Sequence, residues 1–373
     1  MANYSSPIST YSDTTPQKKV ITDYIDLLSP SDSPLIDALG GLDGAAGKFK
    51  FQNKGTKPYW LEDSLSPLVG ALAESASVLS TTATLTVSDP DMFQEGHVIL
   101  IATEQMWVSA ISASGSVITV TRNYGGTQVT LASEAAITII GMARLEGDDS
   151  DDIGFTDISE NYNYTQILHK EINVSETQQV IDQWGIANEF DYQAKKAIPE
   201  LTRLIEKGVV YGQRKAGSAS TPRAFGGVDT FITDNVVDYG AALQQTNFET
   251  AVQAAYEDGG DGPWVAALSP TNIATAMDWL ESSAYLRVGM DQKQVGMIIE
   301  SIQTPFGKVD LLLDRWMIDA KVPIIDIKNA GFLTLRPWKQ EPLAKTGDAI
   351  KGEVVGEFTF CMKQDKSHAM LTT

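Results

Sequence analysis

The sequence predicts an α+β body, interrupted by a small all-β module and preceded by a polar arm. Three observations predict it. A stripe of apolar residues advances at helical spacing from Ile186 to Gly208, and stretches that alternate at period two lie on either side of it. Between Ser77 and Ile140 charge thins out, and Thr, Val, Ile and Ser dominate. Before Gln17 the chain offers almost nothing to bury.

Residues Met1 to Gln17, rich in Ser, Thr and Pro, form the arm. Val20, Ile21, Tyr24, Ile25 and Leu28 then recur at three- and four-residue steps, which predicts a short amphipathic helix stopped by Ser29-Pro30. Ser33-Pro34 opens a second short helical turn through Leu39, ended by Gly40 and Gly41. Lys48 to Trp60 is strand-like, with Phe49 and Phe51 on one face. The apolar stretches Leu85–Val87, Val98–Ile101, Met106–Ile111, Val117–Val120 and Ile137–Ile140 are separated by turn signals such as Tyr124-Gly125-Gly126. They predict a β module inserted into the body.

An acidic stretch from Glu146 to Glu160 follows, and then a long strand with Tyr162, Tyr164, Leu168, Ile172 and Val174 on one face. The longest helix places Ile186, Phe190, Ala194, Ala197, Leu201, Leu204 and Gly208 inward, and Pro199 predicts a kink within it. Gly212 to Gln245 shows little patterning. The capping box Thr246-x-x-Glu249 starts a helix with Phe248, Ala251, Val252 and Ala255 inward, ended by Gly259-Gly260. Trp264 to Leu268 reads as a buried strand, and Ser269-Pro270 caps a helix with Ile273, Met277 and Leu280 inward. The remainder is strand: Met297–Ser301, Val309–Leu313, Val322–Ile327, Phe332–Leu335, and a last strand with Val354, Phe358, Phe360 and Met362 on one face.

Composition narrows the function. The chain has 373 residues, room for roughly two or three domains at about 150 residues each. With 43% hydrophobic and 20% charged residues it can bury a sizeable core. Its 28 basic against 48 acidic side chains leave a net charge of −20, the wrong sign for displacing counterions from nucleic-acid phosphates. Cys361 is the single cysteine, so internal disulfides and multi-cysteine metal sites are out. His97, His169 and His368 are widely scattered. No signal peptide and no membrane span is expected, and neither is a cofactor or resident metal.

Catalytic motifs fail on inspection. Gly44-Ala45-Ala46-Gly47-Lys48 lacks P-loop spacing, and Phe49 stands where Ser or Thr would meet magnesium. No G-x-S-x-G elbow occurs. Asp148, Asp149, Asp151 and Asp152 lack the Gly and distal Glu of a calcium loop and read as a solvated turn. The expectation is a protein that is not an enzyme. The long segments without pattern (the arm, Asn53 to Ser77, the acidic stretch and Gly212 to Gln245) cost roughly 1–2 kcal/mol per residue to order, so something must receive them. Neighbouring subunits are the usual recipients. Tyr59 and Trp60, followed by Glu62 and Asp63, are the candidate inter-subunit contact; the alternative is a core tryptophan closing over its own sheet.

The order of the pieces also carries a resemblance. It begins with Ser31-Asp32-Ser33-Pro34-Leu35-Ile36 and Tyr59-Trp60-Leu61-Glu62-Asp63. It runs on through Val120-Thr121-Arg122-Asn123-Tyr124-Gly125-Gly126-Thr127 and Asn163-Tyr164-Thr165-Gln166-Ile167. Thr221-Pro222-Arg223-Ala224-Phe225-Gly226-Gly227, Leu335-Arg336-Pro337 and Val355-Gly356-Glu357-Phe358-Thr359-Phe360 complete it. Over nearly its whole length the chain resembles the major capsid proteins of tailed bacteriophages with the Hong Kong 97-like coat fold, of the phage SU-ten type.

The resemblance implies a division of labour. Residues 1–47 would be the N-terminal arm, 48–76 and 142–175 the extended-loop strands, and 77–141 the inserted all-β module. Residues 176–223 and 346–373 would form the peripheral domain with its long spine helix, and 224–345 the axial domain. It further implies self-assembly as pentamers and hexamers into an icosahedral head shell, made in the host bacterial cytoplasm, that encloses double-stranded DNA without sequence-specific binding. Portal, scaffold and decoration proteins would be its further partners. Two other readings compete: another virion component, such as a decoration or tail protein, and a carboxylate-dependent hydrolase.

Overall fold

A computed structural model describes residues 32–42, 53–73, 82–89, 91–112, 116–147, 156–181, 188–282, 301–345 and 347–373. The arm before residue 32, the helix expected at Val20–Leu28 and the acids Asp148 to Asp152 lie outside the described residues. The chain divides into two compact units, one of Met1–Trp60 with Asn161–Thr373 and one of Leu61–Glu160. Among the described residues no helix is long and apolar enough to cross a membrane.

The unit Leu61–Glu160 is all β. Its strands are β2 (Val69–Ala71), β3 (Thr82–Thr86), β4 (His97–Ile101), β5 (Glu104–Ile111), β6 (Val117–Gly125) and β7 (Ala136–Met142), in the order β2-β7-β4-β5-β6-β3. The two outer strands also meet: Leu72 bridges Val87, and Ala73 N–H donates to Thr86 O at 2.9 Å. The sheet thus closes on itself and leaves no long edge open. Alternation at period two turns Leu85, Ile99, Ile101, Met106, Val108, Ile118, Val120 and Ile137 inward as its core. One ion pair shares that interior. Arg122 donates through Nε to Glu104 Oε1 at 3.1 Å, and the N–H groups of Asn123 and Val129 also reach the carboxylate. Burial pushes the Glu104 carboxyl up, but Arg122 and the two N–H donors outweigh it and hold it below the usual carboxylate range. In the Tyr124-Gly125-Gly126 turn the second glycine is a steric necessity. Gly126 has φ +80°, and a Cβ there would lie 2.6 Å from Thr103 O.

The larger unit holds two sheets. The first has β10 (Val236–Asp238), β11 (Trp264–Leu268), β12 (Ser301–Thr304), β13 (Gly307–Leu313), β14 (Lys321–Asp326) and β17 (Ala369–Thr372), in the order β10-β17-β14-β11-β13-β12. Trp264 pairs in parallel with Val309 and antiparallel with Asp326, so both edges of β11 are hydrogen-bonded, and all of its residues are buried. Helices α5 (Gln245–Glu257) and α6 (Pro270–Ser282) belong to the same half. Phe248, Ala251, Val252 and Ala255 of α5 join Trp264, Val309 and Leu371 in one core.

The second sheet is β15 (Ala330–Pro342), β16 (Ala349–Met362) and β9 (Gln166–Ser175), with Phe332 opposite Phe360 and Val354 opposite Lys170. Helix α3 (Glu189–Tyr211) packs on it through Ala194, Ala197, Leu201, Ile205, Val209 and Val210. The short helices α1 (Pro34–Ala38), α2 (Glu176–Val180) and α4 (Val228–Phe231) complete the unit.

Several expectations need correction. Leu204, assigned to the inner stripe of α3, is 59% exposed, and Ile205 takes its place. A 3.6-residue period carries the stripe from 201 to 205 and 209 rather than to 204, while Gly208 does face the buried Phe225 ring. The capping box at Thr246 does not form: α5 starts at Gln245, and Glu249 instead accepts from Gln245 Nε2 at 2.7 Å. Ser269 does cap α6, its Oγ accepting from Asn272 N–H at 3.2 Å. The stretch from 212 to 245 is not idle loop, because it contains α4 and β10 and buries Phe225, Val228, Phe231 and Ile232.

Candidate subunit-contact site

The chain leaves the larger unit after Trp60 and returns to it at Asn161. The crossing strands, β1 (Tyr59–Glu62) and β8 (Ser159–Tyr162), pair as a two-stranded sheet. Alternation sends their side chains to opposite faces. The Trp60 indole, 4% exposed, lies 5.8 Å from the Phe231 ring in the core of its own chain. Tyr59 points the other way and is 48% exposed. Glu62 is half-buried, and Asp63 is exposed with its carboxylate accepting from Ser64 N–H at 2.9 Å. Trp60 is therefore spent inside its own subunit, as the core alternative describes, and Tyr59, Glu62 and Asp63 are the members of that set that reach the surface.

Around Tyr59 the structure assembles a group that pattern reading missed. Lys57 Nζ stands 3.6 Å from the Tyr162 ring centre and 4.6 Å from that of Tyr59, and Tyr164 meets Tyr162 edge-on at 5.6 Å. Hydrogen bonding to Tyr59 is the main cause that raises the Lys57 ammonium above its ordinary range. Arg214 closes the group: its guanidinium sits 4.1 Å from the Tyr162 ring, and Nη1 donates to Tyr162 O at 2.7 Å. The signal was present in sequence as the pairs Lys57 with Tyr59 and Tyr162 with Tyr164, each two residues apart, with Tyr59 on β1 and Tyr162 on β8. Only the pairing of β1 with β8 makes it one cluster.

Beneath it, Asn163 and Thr165 break the long strand expected from Tyr162 to Val174. Asn163 is fully buried and donates through Nδ2 to Gly226 O at 2.9 Å and Phe360 O at 2.7 Å, while Oδ1 accepts from Gly226 N–H at 2.8 Å. Thr165 Oγ1 donates to Glu357 Oε1 at 2.6 Å, and Arg336 Nε reaches Glu357 Oε2 at 3.0 Å. Arg223 joins the same carboxylate. Burial pushes the Glu357 carboxyl up, but the donors Thr165, Arg223 and Arg336 hold it below its usual range. Gly227 lets the chain pass the end of α3, since a Cβ there would stand 2.3 Å from Val209 O. These bonds form a buried platform of Asn163, Thr165 and Glu357 within the larger unit.

His97 Nδ1 accepts from Gln94 N–H, His169 is exposed, and His368 Nδ1 accepts from Asp326 N–H inside the larger unit. Among the described residues no three His, Cys, Asp or Glu side chains are placed to hold a metal ion.

A family model described as the SU10 major capsid protein matches residues 8–373. The chain belongs to that family. This capsid protein is a building block of a phage head shell, and its place is the virion. Its fold is shared with the capsid protein of a native GTA particle, at 11% identity and a TM-score of 0.51, over 98% of this chain and 99% of that one. The capsid protein is also similar to a chain of Microbacterium phage Oxtober96, at 10% identity and TM-score 0.49 over 98% of this chain and 99% of that one. Against the capsid of phage XM1 the figures are 10% and 0.49, over 95% of this chain and 96% of that one. No curated protein matches the sequence. The fold is the Hong Kong 97-like coat fold carrying an all-β unit.

Proposed function

We propose that the capsid protein closes into an icosahedral head of its own pentamers and hexamers around double-stranded DNA, in the cytoplasm of a bacterial host. Portal, scaffold and decoration proteins are its further partners in this reading. Residues 1–47 serve as the arm, 48–76 and 142–175 as the extended-loop strands, and 77–141 as the module between them. Residues 176–223 with 346–373 serve as the peripheral domain and 224–345 as the axial domain. Strand Ala369–Thr372 departs from that division, because its pairing with β14 supports counting it with the axial domain.

One observation carries the reading. Directly after the buried Trp60, the segment exposes Leu61 at 66%, Leu65 at 94% and Leu68 at 62%. Three leucines so exposed on one segment suit a surface that another subunit covers. Tyr59, Glu62 and Asp63 flank them and complete the contact. Charging that segment tests it. The Leu65→Asp subunit is expected to melt like the parent yet fail to form shells in electron micrographs. Shells forming at the parental concentration would refute the assignment.

A further inference from the structure

From Lys195 to Lys207, helix α3 carries four cations, Lys195, Lys196, Arg203 and Lys207, and two acids, Glu200 and Glu206. Both acids are engaged. Glu200 pairs with Lys170, and Glu206 is buried, its oxygens accepting from Leu35 N–H at 2.6 Å and Ile36 N–H at 3.0 Å. Lys195 and Lys207 are exposed, and Lys196 and Arg203 are half-buried. Among the described residues no carboxylate forms an ion pair with Lys195, Lys196 or Lys207. Asp314, which feels the Lys207 charge, is itself buried.

At about 3.6 residues per turn, Tyr192, Lys196, Arg203 and Lys207 fall within about 60° of one another and extend over about 22 Å of the helix axis. Lys195 stands beside them. Aromatic rings hold the charges in place. Lys196 Nζ lies 5.4 Å from the Tyr192 ring centre, and Trp316 receives Arg203 at 5.5 Å and Lys207 at 5.6 Å. Arg315, next to that tryptophan, is neutralised by Asp32 at 2.9 Å. The result is a cationic stripe on a chain of net charge −20. Much of the acid sits elsewhere: Leu61–Glu160 has 2 basic against 15 acidic side chains, net −13, and α3 belongs to the other unit.

We propose that this stripe is a phosphate-backbone contact, through which α3 faces the duplex DNA inside the head. The proposal rests on the reading of the chain as a shell around double-stranded DNA. A duplex carries one negative charge per about 1.7 Å of axis, so a straight stripe of fixed cations meets phosphates whatever the sequence. Such contacts position the duplex and read no bases. A second copy fits the stripe less well, because the centre of a protein interface is apolar. Ile198 and Leu204, the exposed apolar side chains of α3, lie about 90° or more from the centre of the stripe. Four cations on so acidic a subunit turn this face toward the genome without holding the genome in.

Lysine acetylation read by mass spectrometry tests the contact on three states of the full-length chain: free subunits, virions, and the same virions emptied of DNA. Only the neutral amine reacts. A phosphate beside an ammonium raises its pKa by about one unit, so each contact slows the reaction about tenfold. Lys195, Lys196 and Lys207 are expected to react at similar rates in free subunits and emptied particles, and about tenfold more slowly in filled ones. Rates that ignore the DNA overturn the proposal. Slow reaction in both particles would mean that a second copy covers the stripe, and fast reaction in both that only solvent does. Either result is obtained on closed heads and leaves the shell reading standing; a chain that forms no head refutes that reading instead.

Discussion

Asn163 joins three segments that are remote in sequence: the β8–β9 junction, the Gly226 turn and β16, through partners 63 and 197 positions away. Removing its amide by Asn163→Ala takes a partner from the Gly226 N–H and from the Gly226 and Phe360 carbonyls, at about 1–3 kcal/mol for each group left unsatisfied. Urea unfolding of the free subunit should therefore show a loss of about 3 kcal/mol, and a loss below about 0.5 would contradict the platform. At this scale the sequence was least legible. Asn163 stands in a recognisable motif, but no local period encodes a side chain whose partners arrive from opposite ends of the chain. The same holds for Glu206, whose acid lies one step from an apolar stripe and is buried only because α1 brings donors to it. Trp60 was legible as important and not as inward or outward, since that depends on where Phe231 lands.

Elements were read more surely, because periodicity is a local property. Strands β4 to β7 and the stripe through Ala194, Ala197 and Leu201 fall where alternation and helical spacing place them. Errors gather at ends and at drift. Thr246 had the right neighbours for a cap, but the chain enters α5 earlier, and Leu204 slipped off the stripe after several turns. The drift makes a paired prediction. Leu201→Ala should cost about 2–5 kcal/mol in the free subunit, because it opens a cavity against the β9–β16 sheet. Leu204→Ala should change stability by less than about 0.5 kcal/mol. Equal losses in denaturant melts would mean that the stripe is misplaced.

Across the whole molecule the net charge of −20 turns from an exclusion into a property of the shell. In the proposed head, many such subunits would gather negative charge around an anionic genome, so confinement would rest on closed geometry and not on attraction. Subunits also repel one another. Added salt shortens the Debye length from about 10 Å at 0.1 M to about 3 Å at 1 M and should lower the concentration at which shells form. Light scattering against subunit concentration at several salt levels reads that threshold directly; a threshold that rises with salt contradicts the role given to charge.

The central proposal is that copies of this chain close into a head shell. Cryo-electron microscopy of the purified chain, concentrated at moderate and high salt, tests it most directly. Closed shells with five- and six-subunit clusters are the predicted result. A chain that stays monomeric at every concentration and salt level, or forms only finite rings or tubes, would contradict the account.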